Sequence, residues 1–373
     1  MTDEHLEIDE QQFLLHFGQH ASQLMWFLGA GAPRSSGLPT ALDIIWDLKR
    51  RYYCSEENQD VDAHKVSNSS VRAKIQGYMD GKGFPKEGSP EEYSFYFQLM
   101  FGQDHNSQRS YLQDQMSMDK ITLSGGQRAL AALLAMGRVR LVFTTNFDAV
   151  LETAYAAVAG KALSVFHLEG SYAALDALNA EMFPIYAKIH GDFRYRSLKN
   201  LSADLLSNDV EIQKCFVAAA GRYGLVVAGY SGRDKNVMMM LKQALEQPNP
   251  FPHGVWWTTP QLHGIAPVVV EFVECARSRN VIAHIVKTGT FDALLLKLWR
   301  QLTEKPKLLD EKVRTAKPRA VQIPLPEPGT KYPILRTNAL PVVAMPHSCG
   351  RVATDGLSTS EFFSAAREKV PGT

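Results

Sequence analysis

Several features that define whole classes of protein are missing from this sequence. No apolar run comes near the roughly 20 residues that a membrane-spanning helix requires. The first ten residues, MTDEHLEIDE, are acidic where a secretory leader is basic. Lysine and arginine number 40 against 39 acidic residues, a formal net charge of +1. That balance argues against the broad basic footprint that nucleic acid or an anionic membrane selects, so neither is an expected partner. The four cysteines, Cys54, Cys215, Cys275 and Cys349, stand far apart. They offer neither the CxxC spacing of a zinc site nor a disulfide framework, so no metal is expected and a reducing cytoplasm is the expected setting.

What is present describes a globular chain, with 45% hydrophobic and 21% charged residues. Its 373 residues suffice for one large domain with attachments. Residues 10–21 place apolar side chains at helical spacing and run into LMWFLGAGA, a short apolar strand ending in glycines. Residues 39–53 follow as a helix, with Pro39 and Thr40 suited to its first turn. Residues 54–120 are polar, with scattered glycines and aromatics such as Tyr93, Phe95, Tyr96 and Phe97, which predicts a helical insertion without strands.

Strand patterns return at Val139–Thr145, Ile185–Ile189, Leu225–Ala228, Val255–Thr258 and Val281–Val286. Short runs that are apolar throughout mark strands covered on both faces, as in a parallel sheet. Helical stretches separate them, at 148–159, 208–221, 235–246, 267–279 and 291–302. The alternation predicts an α/β fold built on a doubly wound parallel sheet, without internal repeats. Beyond about residue 304 the composition changes. Nearly half of the 19 prolines fall there, and VQIPLPEPGTKYP predicts no regular structure. Residues 1–303 therefore read as one domain interrupted at 54–120, and 304–373 as a proline-rich extended arm, a linker or an oligomerisation segment. Within that arm ILRTNALPVVAMP suits a strand packed on a neighbour or the start of a further domain, and both alternatives stay open.

Four candidate motifs fall at strand ends. The first is Gly29-Ala30-Gly31-Ala32-Pro33-Arg34-Ser35-Ser36-Gly37, between a strand and a helix. Glycines there let backbone N–H groups approach a pyrophosphate, and the following helix N-terminus adds partial positive charge. On this basis a valine at Gly31 blocks the ligand and spares the fold. The second is Thr144-Thr145-Asn146-Phe147-Asp148, where Asn146 and Asp148 face a ligand crevice, although Asp148 also suits a helix N-cap. The third is Lys188-Ile189-His190-Gly191-Asp192, which sets a histidine between a buried strand and a turn. The fourth is Gly229-Tyr230-Ser231-Gly232-Arg233-Asp234, whose Ser231 and Asp234 suit ribose hydroxyls, or equally a plain turn.

Taken in this order, the four motifs resemble those of the sirtuin superfamily over roughly residues 20–302, with 54–120 unmatched. The resemblance implies a Rossmann-like, sirtuin-type domain that binds NAD as its substrate. It implies that Gly29, Ala30, Gly31, Ser36, Gly37, Thr145, Gly229, Ser231 and Asp234 contact NAD, and that His190, Asn146 and Asp148 are catalytic. The sequence departs from the deacylating sirtuins in lacking two CxxC pairs, and it has Thr40-Ala41-Leu42 where they carry Asp-Phe-Arg. SGLPTALDIIWDLKR, TTNFDAVLE and FDALL look instead like the sirtuin-like effectors of bacterial antiphage defence, which destroy NAD.

The expected activity is therefore NAD+ glycohydrolysis to nicotinamide and ADP-ribose. The bond to nicotinamide is already activated, because the pyridinium leaves as a neutral base. The site must then stabilise positive charge on the ribose and deliver water, with His190 as general base and Asn146 orienting water or ribose. An effector of this kind is expected to be a homo-oligomer, gated by a partner protein or a phage component. Two alternatives compete: an NAD-dependent protein deacylase, and a non-catalytic module that senses NAD or ADP-ribose.

Overall fold

The computed structural model describes residues 6–89, 91–117, 121–167, 172–190, 210–262, 264–314, 319–324 and 348–353. Eight strands form a single sheet: β1 (Glu7–Ile8), β2 (Leu24–Leu28), β3 (Leu141–Thr144), β4 (Val165–Phe166), β5 (Ile185–Lys188), β6 (Gly224–Ala228), β7 (Val255–Thr259) and β8 (Ala283–Lys287). Their order across the sheet is β1-β8-β7-β6-β2-β3-β5-β4, and every neighbouring pair is parallel. The six strands read from apolar runs are all present. The two edge strands β1 and β4 are two residues each, too short to leave a periodicity. The strand expected at Val281–Val286 starts later, at Ala283, because Val281 N donates to Ala276 O and still belongs to the preceding helix end.

Why these runs read as continuously apolar is visible in the packing. Along β2 every residue is buried, but successive side chains enter different cores. Met25 and Phe27 face one layer, with Phe143, Val227 and Trp257 from neighbouring strands. Over them lie α8 (Tyr172–Asn179), α9 (Val210–Ala220), α10 (Lys235–Ala244) and α11 (Pro267–Ser278). Trp26 and Leu28 face the opposite layer with Val142, Tyr186 and Trp256. That side is covered by α1 (Glu10–His20), α6 (Gly125–Ala135), α7 (Val150–Ala159), α12 (Phe291–Gln301) and α13 (Lys307–Arg314). A sheet covered on both faces is the doubly wound arrangement. Among the described residues no helix is long and apolar enough to cross a membrane.

Four further helices lie between β2 and β3: α2 (Ala41–Glu57), α3 (Ser69–Gly81), α4 (Glu92–Phe101) and α5 (His105–Gln115). They enclose a third core of Ile45, Trp46, Ile75, Phe97 and Leu112. At its centre Lys49 and Glu92 form a fully buried ion pair, with Lys49 Nζ also donating to Gln76 Oε1 at 2.7 Å and Gly88 N donating to Glu92 Oε2 at 2.8 Å. Such a pair needs its extra hydrogen bonds to offset desolvation, and both ends have them. Leu38, Phe147 and Val150 carry this core down to the sheet.

The segment after residue 303 does not start as a detached arm. Val313 of α13 is buried, Trp299 Nε1 donates to Asp310 Oδ1 at 2.8 Å, and Lys312 Nζ donates to Val158 O at 2.8 Å. Further on, Arg319–Pro324 pairs antiparallel with Ser348–Ala353. This corrects the expectation that the proline-rich stretch has no regular structure: its first four residues are paired, ending at Pro324 on the strand terminus, where a missing N–H is tolerated. Residues 334–346 lie outside the described residues.

Two tests follow from this packing. Truncation after residue 303 strips α13 from α6 and α7 and should lower Tm by several degrees, about 2–4 °C for each kcal/mol lost in a domain of this size. Truncation after Arg314 should leave Tm unchanged, and equal melting of the two truncations would show that α13 is dispensable. The second test concerns histidines below the sheet. Burial and the charge of His20 push His16 down to about 4 from 6.5, and burial also lowers His253 and His284. His16 Nε2 lies 3.1 Å from His253 O, and Arg277 Nη2 lies 3.0 Å from His284 Nδ1. The fold favours the neutral ring, so the unfolded chain takes up protons first and His16 costs stability as pH falls from 6.5 towards 4. Tm should drop between pH 7.5 and 5, and His16→Gln should flatten part of that drop; an identical slope in the variant refutes the assignment.

Candidate active site

The chain leaves β2 and builds outward through β3 to β4 and β5, then returns to the other side of β2 with β6. The strand order therefore reverses between β2 and β6, and ligands of open α/β sheets bind outside the C-terminal strand ends at such a point. The loops after β2, β3, β5 and β6 all open there, and they carry the four motifs.

The loops after β2 and β6 meet backbone to backbone. Gly29 N donates to Ala228 O at 3.0 Å and Gly31 N to Gly229 O at 2.8 Å. A Cβ on Gly29 would sit 2.5 Å from Gly229 O and 2.6 Å from Tyr230 Cα. One on Gly31 would sit 3.0 Å from Gly229 Cα, and one on Gly229, which has φ +67°, 2.5 Å from Ala32 N. The contact between the turns thus requires glycine at 29 and 229 and leaves little room for a side chain at 31. A valine at Gly31, expected to spare the fold, would bring its Cβ to 3.0 Å from Gly229 Cα and O, so Gly229 must give by a few tenths of an ångström.

Other parts of the first loop face inward. Ser36 is fully buried; Ser124 N lies 3.4 Å from its Oγ, and Thr122 N donates to its carbonyl at 2.9 Å. Gly37 is exposed at φ +92° and closes the short turn Arg34–Ser36. The N-terminus of α2 is occupied by its own residues: Asp43 N donates to Thr40 Oγ1, while Asp43 Oδ2 accepts from Thr40 N at 2.8 Å. An acidic capping box satisfies those N–H groups and sets negative charge where the sequence suggested a positive end for phosphate. Ala30 and Gly31, partly exposed, are the loop residues that remain at the crevice.

From β3, Thr145 N donates to Leu28 O at 3.2 Å, and Asn146 Nδ2 donates to Gly29 O at 3.0 Å. Asn146 is half-buried, and this bond ties it to the glycine turn. Asp148 lies deeper. It is buried, and its Oδ1 accepts from Val150 N at 2.9 Å in an Asx turn just before α7, whose N-cap is Ala149 rather than Asp148 as the sequence suggested. Burial pushes its carboxyl up to about 6, against the opposing charge of Lys188. Lys188 is itself fully buried and donates to Asp148 O and, at 2.8 Å, to Glu152 Oε1. This lysine ties the loop after β3 to the end of β5. Sequence reasoning passed over it, though a lone cation inside the apolar run IYAKI is the trace it leaves.

His190 follows β5, with Gly191 and Asp192 outside the described residues. Its Nε2 lies 3.1 Å from Asp234 Oδ2, and its ring centroid 6.2 Å from that of Phe147. Asp234 Oδ1 accepts from Asn236 N at 2.8 Å and Val237 N at 3.2 Å, capping α10. Burial raises the Asp234 carboxyl, but the hydrogen bond and charge of His190 with the two N–H groups outweigh it and hold it below its ordinary value. Gly229 and Ser231 are exposed on the same loop, and the Tyr230 hydroxyl lies 3.3 Å from Asp234 O. Gly29, Ala30, Gly31, Thr145, Asn146, His190, Gly229, Ser231 and Asp234 thus lie on loops at the same end of the sheet, while Ser36 and Asp148 are buried. Among the described residues no group of three or more His, Cys, Asp or Glu is placed to hold a metal ion.

Residues 140–266, which hold three of these four loops, match the family model described as a SIR2-like domain. No curated protein matches the chain. Similar solved structures include one described as the structural basis for the mechanism and regulation of Sir2 enzymes. It is 13% identical over 82% of this chain and 96% of that one, with a TM-score of 0.41. A Sir2 homologue–NAD complex is 11% identical over 81% and 94%, with a TM-score of 0.37. A mutant Sir2 homologue with ADP-ribose is 12% identical over 80% and 99%, with a TM-score of 0.41.

The glycine contact makes a graded prediction. Gly29→Ala forces a Cβ against two backbone atoms and should cost about 1–3 kcal/mol, with Gly31→Ala costing less. Urea unfolding measures both, and equal stability of Gly29→Ala and the parent protein would mean that the turns do not pack as described.

Proposed function

We propose that the chain is a member of the sirtuin superfamily that binds NAD+ across the β2–β6 crevice and hydrolyses it to nicotinamide and ADP-ribose. The observation that carries this reading is the convergence of Asn146 and a carboxylate-partnered His190 on the lip of a glycine-turn crevice at the topological switch point. The SIR2-like match over 140–266 supports it.

The chemistry suits these residues. The C1′–N bond breaks with its electron pair going to nicotinamide, water oxygen bonds to C1′, and the proton that water gives up passes through His190 to solvent. The products are nicotinamide, ADP-ribose and one proton. Asn146, its amide nitrogen held by Gly29 O, presents its oxygen to the ribose or the water. Asp148 supports the site from below, by holding the turn before α7 and taking part in the Lys188 anchor. The effector role in antiphage defence, a homo-oligomer and an activating partner or phage component belong to the same proposal. What supports them is the resemblance of SGLPTALDIIWDLKR, TTNFDAVLE and FDALL.

Incubation with NAD+, with and without an acetylated peptide, tests the reading: nicotinamide should be released without the peptide. His190→Ala should lower that release by on the order of a hundredfold or more, with NAD+ affinity and Tm nearly unchanged. Asn146→Ala should do the same while losing about 1 kcal/mol of stability with its bond to Gly29. The double variant should be hardly worse than either single one. A well-folded His190→Ala protein with parental turnover would sink the mechanism, and release that depends on the peptide would favour deacylation.

A further inference from the structure

Asp234 places its two carboxylate oxygens on two unrelated partners. Oδ1 accepts from Asn236 N at 2.8 Å and Val237 N at 3.2 Å, while Oδ2 lies 3.1 Å from His190 Nε2. Backbone N–H groups can only donate, so the start of α10 fixes how the carboxylate is turned. A ring nitrogen facing a carboxylate oxygen must donate as well. Nε2 therefore carries its proton in both the neutral and the charged ring, and in the neutral ring Nδ1 keeps the lone pair. The pair is well covered, with side-chain exposures of 13% and 21%, so solvent competes weakly for either partner.

We infer that Asp234 is the positioning residue of His190: the cap of α10 locks the imidazole in the tautomer whose Nδ1 is the proton-accepting atom. This rests on the hydrolase reading and adds to it the nitrogen that acts. It also moves Asp234 from the ribose contact expected of it to a role exerted through the histidine.

Asparagine at this position makes a sharp test. Its single oxygen is claimed by the α10 N–H groups, which cannot accept, so its amide NH2 turns towards His190 Nε2. Nε2 must then accept, the ring proton moves to Nδ1, and the base nitrogen is blocked, as happens when the aspartate of a serine protease triad becomes asparagine. Asp234→Ser keeps a capping oxygen for α10 and removes the partner of the ring, so it serves if the asparagine variant folds poorly.

The experiment uses the full chain with 15N-labelled histidine. Ring 15N shifts distinguish protonated from bare nitrogens, and His190→Gln identifies the His190 signals. Nicotinamide release is followed on the same preparations. We expect a protonated Nε2 in the parent protein and a protonated Nδ1 in Asp234→Asn. The asparagine variant should lose about a hundredfold or more in kcat, with KM within about threefold. Asp234→Ser should show mixed tautomers and an intermediate loss of kcat. A parent ring protonated at Nδ1, or an asparagine variant with an unmoved proton, overturns the inference. So does a raised KM at parental kcat, which would make Asp234 a direct sugar contact. If the parent protein releases no nicotinamide, the hydrolase reading fails, while the ring shifts still decide the tautomer.

Discussion

Gly29 and Gly31 meet Gly229 backbone to backbone, in a contact that leaves little room for a side chain. The two turns belong to β2 and β6, adjacent strands at which the winding of the sheet reverses. Two N–H···O bonds continue the β2–β6 pairing past the strand ends. The carbonyl of Gly29 then accepts from the Asn146 side chain, so the β3 loop is referenced to the same turn. Through Ile189 N and Thr144 O, at 2.9 Å, the β5 loop with His190 is referenced to β3. Each motif is therefore held to the next by hydrogen bonds that end on the backbone of a strand or turn.

Charge is placed with similar economy. Asp234 caps α10 and Asp148 forms a turn just before α7, each helix starting just behind a loop of the site, yet their surroundings drive their carboxyls in opposite directions. Asp148 is the more buried of the two, and desolvation dominates there. Asp234 has the imidazole and two N–H groups, which together outweigh its desolvation. Beneath them Lys188 joins two loops by donating to Asp148 O and to Glu152. A carboxylate at a helix start is usually a local device; here each one also adjoins the loops of the site.

Much of the fold was readable because strands buried on both faces leave uninterrupted apolar runs, and the loops that carry chemistry follow those runs directly. What escaped depends on partners distant in sequence. Helix α6 begins at Gly125-Gly126, a poor start by local propensity. Its N-terminus is completed by Asp292, whose Oδ1 accepts from Gly126 N at 2.8 Å across 166 positions. Ser36 sits in a motif that reads as ligand-binding, but Ser124, the cap of α6, lies against its hydroxyl. The pairing of His190 with Asp234 joins residues from two motifs that sequence alone assigned separate tasks. Local pattern reports which residues lie at strand ends; it does not report which of them face one another.

The pairing of Leu28 with Ala228 has a consequence for synthesis. The first glycine turn leaves the ribosome before its partner strand, which lies 200 positions further along the chain. Contacts of such long sequence separation form late, after a large loop has been closed. Until β6 and α10 have emerged there is no crevice, and His190 has no carboxylate beside it. The order of the strands thus delays assembly of the site until β6 and α10 have been made.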